Sequence, residues 1–380
     1  MKGYLRKRGK SWSYTVDIGR DPITNKRKQK SRGGFKTKKE AHSALAKIIS
    51  EYEQGEYVED NKIMLKTFMR DYIESYVKKT LRPATVINYE KALEKHIEPY
   101  FKEKRINDIK PIHIQKFYTH VIEDKKLSHG TLKNIHSCLK KTMDAAERWM
   151  LIKKNPCVIP VPKSDSKAEN VWSLEEAFEF LTIAEKHSYY YIIYLLTLFT
   201  GMRRGEVLGL PVHNVDFNAN EIKIDQQLLI DNKSKPYLTT DLKNKTSYRT
   251  LAVPDNVMAS LQKYMHEKKK YLFENGISNR HNLVFVSIYG NPIHPNGINK
   301  DFRLLLQAHK LKPITFHGLR HTHATILADQ NESVHAIQDR LGHSSPTITN
   351  ETYIHLTPKM KQNLMVNLNE LFEEKTKKES

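Results

Sequence analysis

The chain has 380 residues, too many for one compact core, and its 39% of hydrophobic residues excludes general disorder. Its 63 Lys and Arg residues outnumber the 43 Asp and Glu residues, and the net charge of +20 favours a polyanionic partner, a nucleic acid before an anionic membrane. Two cysteines, Cys138 and Cys157, are too few for a disulfide framework or a four-thiolate zinc site, and they fit a reducing compartment.

The first forty residues are strongly basic, with fourteen Lys or Arg residues against three acidic ones, a local net charge of +11. Apolar and polar residues alternate in "SWSYTVDI" (11–18), the period of a half-buried strand, and "RKQKSRGGF" can pair back on it. Thr37 and Glu40 then form a capping-box pattern at the start of an amphipathic helix. We expect residues 1–56 to form a three-stranded sheet covered by one helix, with a basic, aromatic face suited to a DNA groove. A solvated cationic surface is the alternative.

The next segment is predicted to be all-helical. Residues 62–155 contain several amphipathic stretches whose polar sides carry Lys and Arg, as contacts to a phosphate backbone require. Three prolines within "NPCVIPVP" then indicate a linker at 155–167. A third domain, 168–375, starts its first helix at Ser173, with Glu176 completing a capping box.

The third domain is predicted to mix helices with a strand-rich middle. The apolar run "YYYIIYLLTLF" (189–199) is too short to cross a bilayer and indicates a buried helix. Strands are expected in "EIKIDQQLLI", "RTLAVP" and "NLVFVS", and helices follow to about residue 372. Since the basic N-terminus also lacks the apolar segment of a secretory signal, we expect a soluble, cytoplasmic protein.

The stretch "FHGLRHTHATILADQ" (316–330) concentrates histidines that suit either a metal or an anion. His317 and His321 have the i, i+4 spacing of a zinc pair, but Gly318 stands where the zincin pattern needs Glu, and Arg320 would repel a dication. His317 and Arg320, at i, i+3, lie on one side of a helix turn and together offer hydrogen bonds and positive charge to a phosphate. The anion is therefore the favoured ligand.

Further cations flank this stretch, together with a phenol. Arg203 follows a glycine turn in "LFTGMRRGEVLGL", Lys243 and Lys245 lie in a predicted strand or hairpin, and His343 follows a helix ending near Gly342. Tyr353 comes ten residues later. Cationic neighbours favour the phenolate, and the same charges stabilise a pentacoordinate phosphorane.

The chain resembles the tyrosine recombinases in five motifs and in their order along the sequence. These are "TGMRRGE", the lysine hairpin, "HGLR", "LGH" and "ETYIHL". The nearest resemblance is to the integrases of temperate phages and integrative elements of Gram-positive bacteria. It implies a mainly α fold of three domains: an arm-type DNA-binding domain, a helical core-binding domain and an α+β catalytic domain. The catalytic residues carried over by the motifs are Arg203, Lys243, His317, Arg320, His343 and the nucleophile Tyr353. His321 and His323 fall outside these positions, so we expect them to be packing or helix-surface residues.

The resemblance also implies a mechanism. Tyr353 attacks a DNA phosphate to form a 3′-phosphotyrosyl bond and free a 5′-hydroxyl, without metal, ATP or other cofactor. Arg203, Arg320 and His343 hold the phosphate, His317 accepts the tyrosine proton, and Lys243, six residues before Arg249, protonates the leaving oxygen.

The partners implied are core- and arm-type attachment sites and a homotetramer in the synaptic complex, at the nucleoid. Whether an excisionase or a host DNA-bending protein assists is left open. Three other functions also stay open: recombination without integration, such as dimer resolution; relaxation of supercoils by a type IB topoisomerase; and non-enzymatic regulation by DNA binding.

Overall fold

Alternating apolar residues near the N-terminus build a small antiparallel sheet in the computed structural model. The structure describes residues 3–20, 25–54, 57, 62–162, 170–231, 233–242, 245–330 and 332–342. The chain divides into two compact units, Met1–Asp165 and Ser166–Ser380. The three predicted domain boundaries stay predictions.

The first unit begins with strands β1 (Gly3–Arg8), β2 (Ser11–Arg20) and β3 (Arg27–Phe35), in the order β1-β2-β3. Helix α1 (Lys38–Glu53) packs its apolar side on the sheet, as its buried side chains show together with two from β2. They are Tyr14, Val16, Ala41, Leu45 and Ile48. Thr37 caps α1 by accepting from the Glu40 amide, while the Glu40 carboxylate accepts from the Lys36 amide. The opposite face of the sheet carries exposed Tyr4 on β1.

The rest of the first unit is helical, as predicted. Three of its helical segments contain a π-helical turn, which fits one extra residue into the helix. In the first, α2 (Leu65–Tyr72) continues through the π turn Ile73–Val77 into α3 (Lys78–Thr80), and in the second, α4 (Pro83–Ala92) continues through Leu93–Ile97 into α5 (Glu98–Phe101). In the third, α6 (Pro111–Thr119) ends in the π turn His120–Asp124. A short 3₁₀ helix, Ile106–Asp108, and the long α7 (His129–Arg148) complete the set. Both cysteines are free and buried in the core of these helices.

The second unit starts with α8 (Leu174–His187), α9 (Tyr191–Thr200) and the short α10 (Arg204–Leu208). The predicted capping box at Ser173 forms: the Ser173 amide donates to Glu176 Oε2 (2.8 Å) and the Glu176 amide to Ser173 Oγ (3.2 Å). Five short strands follow: β4 (Val215–Asp216), β5 (Glu221–Ile224), β6 (Gln227–Ile230), β7 (Pro236–Thr239) and β8 (Arg249–Ala252). They form two antiparallel sheets, β4-β5-β8 and β6-β7.

Four helices follow in the part of this unit that the structure describes: α11 (Asp255–Glu274), α12 (Pro295–Ala308), α13 (Phe316–Asp329) and α14 (Val334–Leu341). The first three contribute to the main apolar core, and α14 packs in a smaller apolar cluster with α13. A cluster of aromatic rings from α8, the segment just before it, α9, α12 and α13 forms the centre of the main core. These rings are Trp172, Phe180, Tyr194, Phe302 and Phe316. The arrangement confirms the predicted fold class.

One predicted strand is wrong. In "NLVFVS", Leu283 and Val286 make only isolated bridges, to Pro211 and Pro292, so no ladder forms. Residues 283–286 are nonetheless buried, which explains the apolar run: the pattern reported burial and not extended pairing. In the described part of the chain, no helix has the length and apolar character needed to cross a membrane.

Candidate active site

Three of the residues predicted to be catalytic lie in the described part of the second unit: Arg203, His317 and Arg320. Lys243, His343 and Tyr353 lie outside the described residues. The fold brings the first three together, because α13 packs against the end of α9, and α14 packs against α13.

Arg203 is placed by the turn that ends α9. Gly201 adopts a left-handed conformation (φ 66°) as the C-cap, and any larger residue there would collide with His323 and Leu341. The chain then reverses, and Arg203 becomes the N-cap of α10. Its Nη2 donates to the carbonyl oxygen of Gly342 (2.8 Å), next to the predicted His343.

Glu206 is a buried carboxylate that links two arginines. Its Oε1 accepts from Arg203 Nη1 (2.7 Å), and its Oε2 accepts from Arg249 Nη2 (2.9 Å) on β8. Its side chain is 2% exposed. Burial alone would raise the pKa of Glu206, but Arg249 and Arg203 outweigh it and hold the pKa below the ordinary value. Glu206 therefore stays ionised and fixes the Arg203 guanidinium.

Arg320 is 2% exposed, one of the largest side chains so fully buried in the described residues. Its Nη1 donates to the Gly201 carbonyl and its Nη2 to the Leu341 carbonyl, each at 2.6 Å. These carbonyls belong to the ends of α9 and α14, where helices leave acceptors without intrahelical partners. Arg320 thus joins the Arg203 turn to the turn before His343.

His317 lies one helical turn before Arg320, at an exposed position. Although part of the side chain is exposed, the surrounding protein partly desolvates the ring, and this desolvation, together with His321, Arg320, Arg203 and Arg204, lowers the pKa of His317 to about 4. At neutral pH, His317 is a neutral imidazole that can accept a proton.

A cavity of about 750 Å³ lies beside His317, and its polar wall is cationic. Asn296, Asn299, Lys300 and Arg303 come from the outer face of α12, whose other side is buried in the core. Arg204 adds a half-buried guanidinium, and burial lowers its pKa. Such a set of donors suits phosphates and base edges.

His321 and His323 have different surroundings. His321 is half-buried, with its ring edge-on to that of His317 (centroids 4.7 Å apart). His323 is 6% exposed and its Nε2 accepts from Arg340 Nε (3.1 Å). His323 is therefore buried, as expected of a packing residue, but it also accepts a hydrogen bond that the prediction did not include.

The segment after Lys243 differs from the strand or hairpin predicted for it. Lys245–Ser247 form a 3₁₀ turn. Arg249 and Tyr248 follow, and the exposed Tyr248 hydroxyl donates to the Thr240 carbonyl.

The sequence reasoning missed Glu206, Arg249 and Arg340. For Glu206 a signal was present, since it stands three residues after Arg203, the capping-box spacing. In the described residues, no group of three or more metal-ligating side chains comes together.

Comparison with known proteins identifies the family. Residues 171–360 match the "Phage integrase family", residues 4–52 an "Arm DNA-binding domain" and residues 64–122 a "Phage integrase, N-terminal SAM-like domain". The first match spans half of the chain. The chain belongs to the phage integrase family. The resemblance read from its motifs is thereby confirmed.

Two bacterial relatives are similar to this family member over nearly its whole length. It is 28% identical over 391 residues to a XerC-like tyrosine recombinase of Caldanaerobacter subterraneus subsp. tengcongensis, covering 97% of this chain and 98% of that protein. It is 27% identical over 364 residues to the ICEBs1 integrase of Bacillus subtilis (strain 168), covering 94% and 97%. This phage integrase family member is a site-specific recombinase of the tyrosine type.

Solved structures of integrases share its fold. One is the Tn1549 transposon integrase in complex with a circular intermediate DNA, with a TM-score of 0.71 at 21% identity, covering 80% of this chain and 99% of that one. Another is a lambda integrase tetramer bound to a Holliday junction, with a TM-score of 0.58 at 19% identity, covering 92% and 94%.

Proposed function

We propose that this integrase cuts and rejoins attachment-site DNA through a 3′-phosphotyrosyl intermediate, integrating and excising a phage or other mobile element. The proposal is carried by one observation: Arg203 and Arg320 both donate to the end of α14, while neutral His317, one helical turn before Arg320, lines a cationic cavity. The two arginines reach the same turn, Leu341–Gly342, which leads directly to His343.

In the proposed reaction, the Tyr353 oxygen forms a bond to phosphorus as the bond from phosphorus to the 5′-oxygen breaks. His317 takes the phenol proton, and Lys243 gives a proton to the leaving 5′-oxygen. Arg203 and Arg320 stabilise the charge that develops on the non-bridging oxygens, with His343 as a further donor. The 5′-hydroxyl of a partner duplex then reverses the step.

The proposed partner is double-stranded DNA, with core sites bound by the helical domain and by the cavity, and arm sites bound by the N-terminal domain. The Tn1549 and lambda integrases are described in complexes with DNA, the latter as a tetramer on a Holliday junction. We extend this assembly to a homotetramer of the present chain, acting at the nucleoid. An excisionase or a host DNA-bending protein would act on this assembly.

The test is covalent trapping by the full-length chain. A nicked suicide duplex carrying the element's own core site loses the short 5′-fragment on cleavage, so religation fails and the adduct accumulates. Denaturing electrophoresis should then show a band that protease removes. Absence of the adduct on specific DNA that the chain binds would overturn the proposal in favour of a regulator. A type IB topoisomerase would instead relax plasmids that lack attachment sites.

We predict that the general acid is Lys243 and not Lys245. Lys243→Ala should slow cleavage of ordinary DNA by about 100-fold or more. A duplex with a 5′-bridging phosphorothioate has a leaving group that needs no proton, so it should restore the rate of this variant.

The matched control is Lys245→Ala, which removes the same charge two residues away. It should cleave both duplexes nearly as the wild type does. Rescue by phosphorothioate in Lys245→Ala, and not in Lys243→Ala, would reverse the assignment.

The N-terminal sheet is predicted to bind arm sites independently of catalysis. Deleting residues 1–56 should leave cleavage of a short core duplex intact but abolish protection of separate arm sites and efficient integration. Arg6 pairs across the sheet with Ser13 and lies on the face away from α1, whereas Lys7 pairs with Trp12 on the face toward it.

A single-charge comparison sharpens this experiment. Arg6→Ala should weaken arm-site binding and reduce the slope of log K against log salt by roughly 0.9, the value for one lost phosphate contact. Lys7→Ala removes the same charge from the other face and should change the slope less. Unchanged footprints after deletion of residues 1–56 would show that the domain has no arm-binding role.

A further inference from the structure

Arg340 connects four elements of the catalytic unit without facing the cavity. In the described part of the chain, it donates to three neutral acceptors: its Nε to His323 Nε2 (3.1 Å), and its Nη2 to the carbonyls of Phe199 (3.1 Å) and Ala252 (3.0 Å). Phe199 lies in α9, Ala252 ends β8, and His323 lies in α13.

The backbone of Arg340 is also held. Its carbonyl accepts from Arg249 Nε (2.7 Å), the same guanidinium that binds Glu206. The next two carbonyls along the chain, of Leu341 and Gly342, accept from Arg320 and Arg203. The end of α14 therefore provides the acceptors that orient both predicted phosphate-binding arginines, and Arg340 anchors that end to α9, β8 and α13.

His323 completes the anchor as a neutral ring. Burial, and then Arg340, lower the pKa of His323 to about 3, against a backbone hydrogen bond to Leu198 that acts the other way. With Nε2 accepting from Arg340, Nδ1–H is left to donate to the Leu198 carbonyl. An apolar side chain of similar size would fill the space but leave the Arg340 Nε–H without its acceptor.

We propose that His323 and Arg340 form a positioning pair, in which His323 acts as a hydrogen-bond acceptor and holds Arg340 so that the end of α14 orients Arg203 and Arg320 toward the scissile phosphate. The inference rests on the proposed function. Neither residue is a catalytic residue, because each acts through the two arginines and touches no reacting atom.

The test compares two replacements of His323 in the full-length chain. His323→Gln places a polar group near the position of Nε2 and can accept from Arg340, whereas His323→Leu only fills the space. The readouts are the single-turnover rate of covalent cleavage at saturating suicide DNA, the Kd for that DNA, and the melting temperature. His335→Leu, at an exposed position on α14, is the control for the same chemical change.

We expect His323→Leu to lower the cleavage rate by about 10- to 100-fold, as misplacement of positioning groups does, with Kd within a few-fold of wild type. His323→Gln should recover most of that rate, and His335→Leu should not change it. Equal rates for the Gln and Leu variants would overturn the proposal, since they would show that packing alone matters.

A second measurement separates positioning from a general folding defect. In an Arg203→Lys background, the guanidinium that donates to the Gly342 carbonyl is already absent. The His323→Leu substitution should therefore reduce the remaining cleavage rate by a much smaller factor than it does alone. If the double variant lowers the cleavage rate by the product of the two single factors, the idea that His323 acts through Arg203 would be contradicted. Failure of the wild type to form an adduct would instead count against the proposed function, and this outcome is distinct from the others.

Discussion

Replacing Tyr353 with Phe is expected to abolish the covalent adduct while leaving DNA affinity within a few-fold of wild type. The substitution removes the oxygen proposed to bond to phosphorus, whereas affinity is expected to come mainly from phosphate contacts spread over the protein. Trapping on suicide DNA and a binding titration at the same salt concentration measure the two effects separately.

Tyr248→Phe is the matched control, since it also removes one phenol oxygen from the second unit. The Tyr248 hydroxyl is engaged with the Thr240 carbonyl, so this variant should still form the adduct. An adduct that persists in Tyr353→Phe and vanishes in Tyr248→Phe, or in Tyr237→Phe, would move the nucleophile to that residue.

Replacing Glu206 with Ala is expected to destabilise the second unit by about 3–5 kcal/mol, because it leaves the buried guanidinium of Arg249 and its neighbour Arg203 without a counter-charge. The cleavage rate at saturating DNA should also fall, since Arg203 loses two of its constraints. Urea unfolding gives the free energy, and suicide-substrate cleavage gives the rate.

Glu176→Ala is the control for this substitution. Glu176 occupies the same capping-box position in α8, but its carboxylate is 37% exposed and 3.8 Å from Lys312. Loss of that weak ion pair should cost at most about 1 kcal/mol. A comparable loss in both variants would show that helix capping, and not the buried arginine pair, dominates at Glu206.

The effect of Glu206 should also depend on pH in a defined direction. Its folded pKa is lower than the ordinary value of 4.5, so its contribution is fully present above pH 4.5 and is lost as the pH falls through the folded pKa. The difference in unfolding free energy between wild type and Glu206→Gln should therefore shrink in acid. A difference that grows on acidification would show that the carboxylate is not held ionised by its arginines.

Much of the fold could be predicted from local patterns. Alternation in β2, the N-cap at Thr37, the capping box at Ser173 and the glycine turn at Gly201 each depend on residues close in sequence, so short-range physics fixes them. The three π-helical turns could not be predicted, because one extra residue in a helix barely alters an apolar pattern of period 3.6.

The site was predictable only where a motif marked it. Arg203, His317 and Arg320 came from short motifs, whereas the links from Arg249 to Glu206 and from Arg340 to His323 join residues 43 and 17 positions apart. The neighbouring sequence does not show that Arg249 and Arg340, among the 63 Lys and Arg residues of the chain, are the ones that make these buried hydrogen bonds. Their roles depend on tertiary burial, which makes a carboxylate or a neutral imidazole beside them necessary.

The guanidiniums of Arg320 and Arg203 bind the ends of α9 and α14, and this bonding affects which residues persist in related proteins that lose their activity. Arg320 and Arg203 satisfy backbone acceptors at these helix ends, so a copy that has lost its chemistry still needs them to fold. Selection against misfolding would keep both arginines even in a related protein that has lost its activity. Intact arginines are thus weak evidence that a prophage remnant is still active.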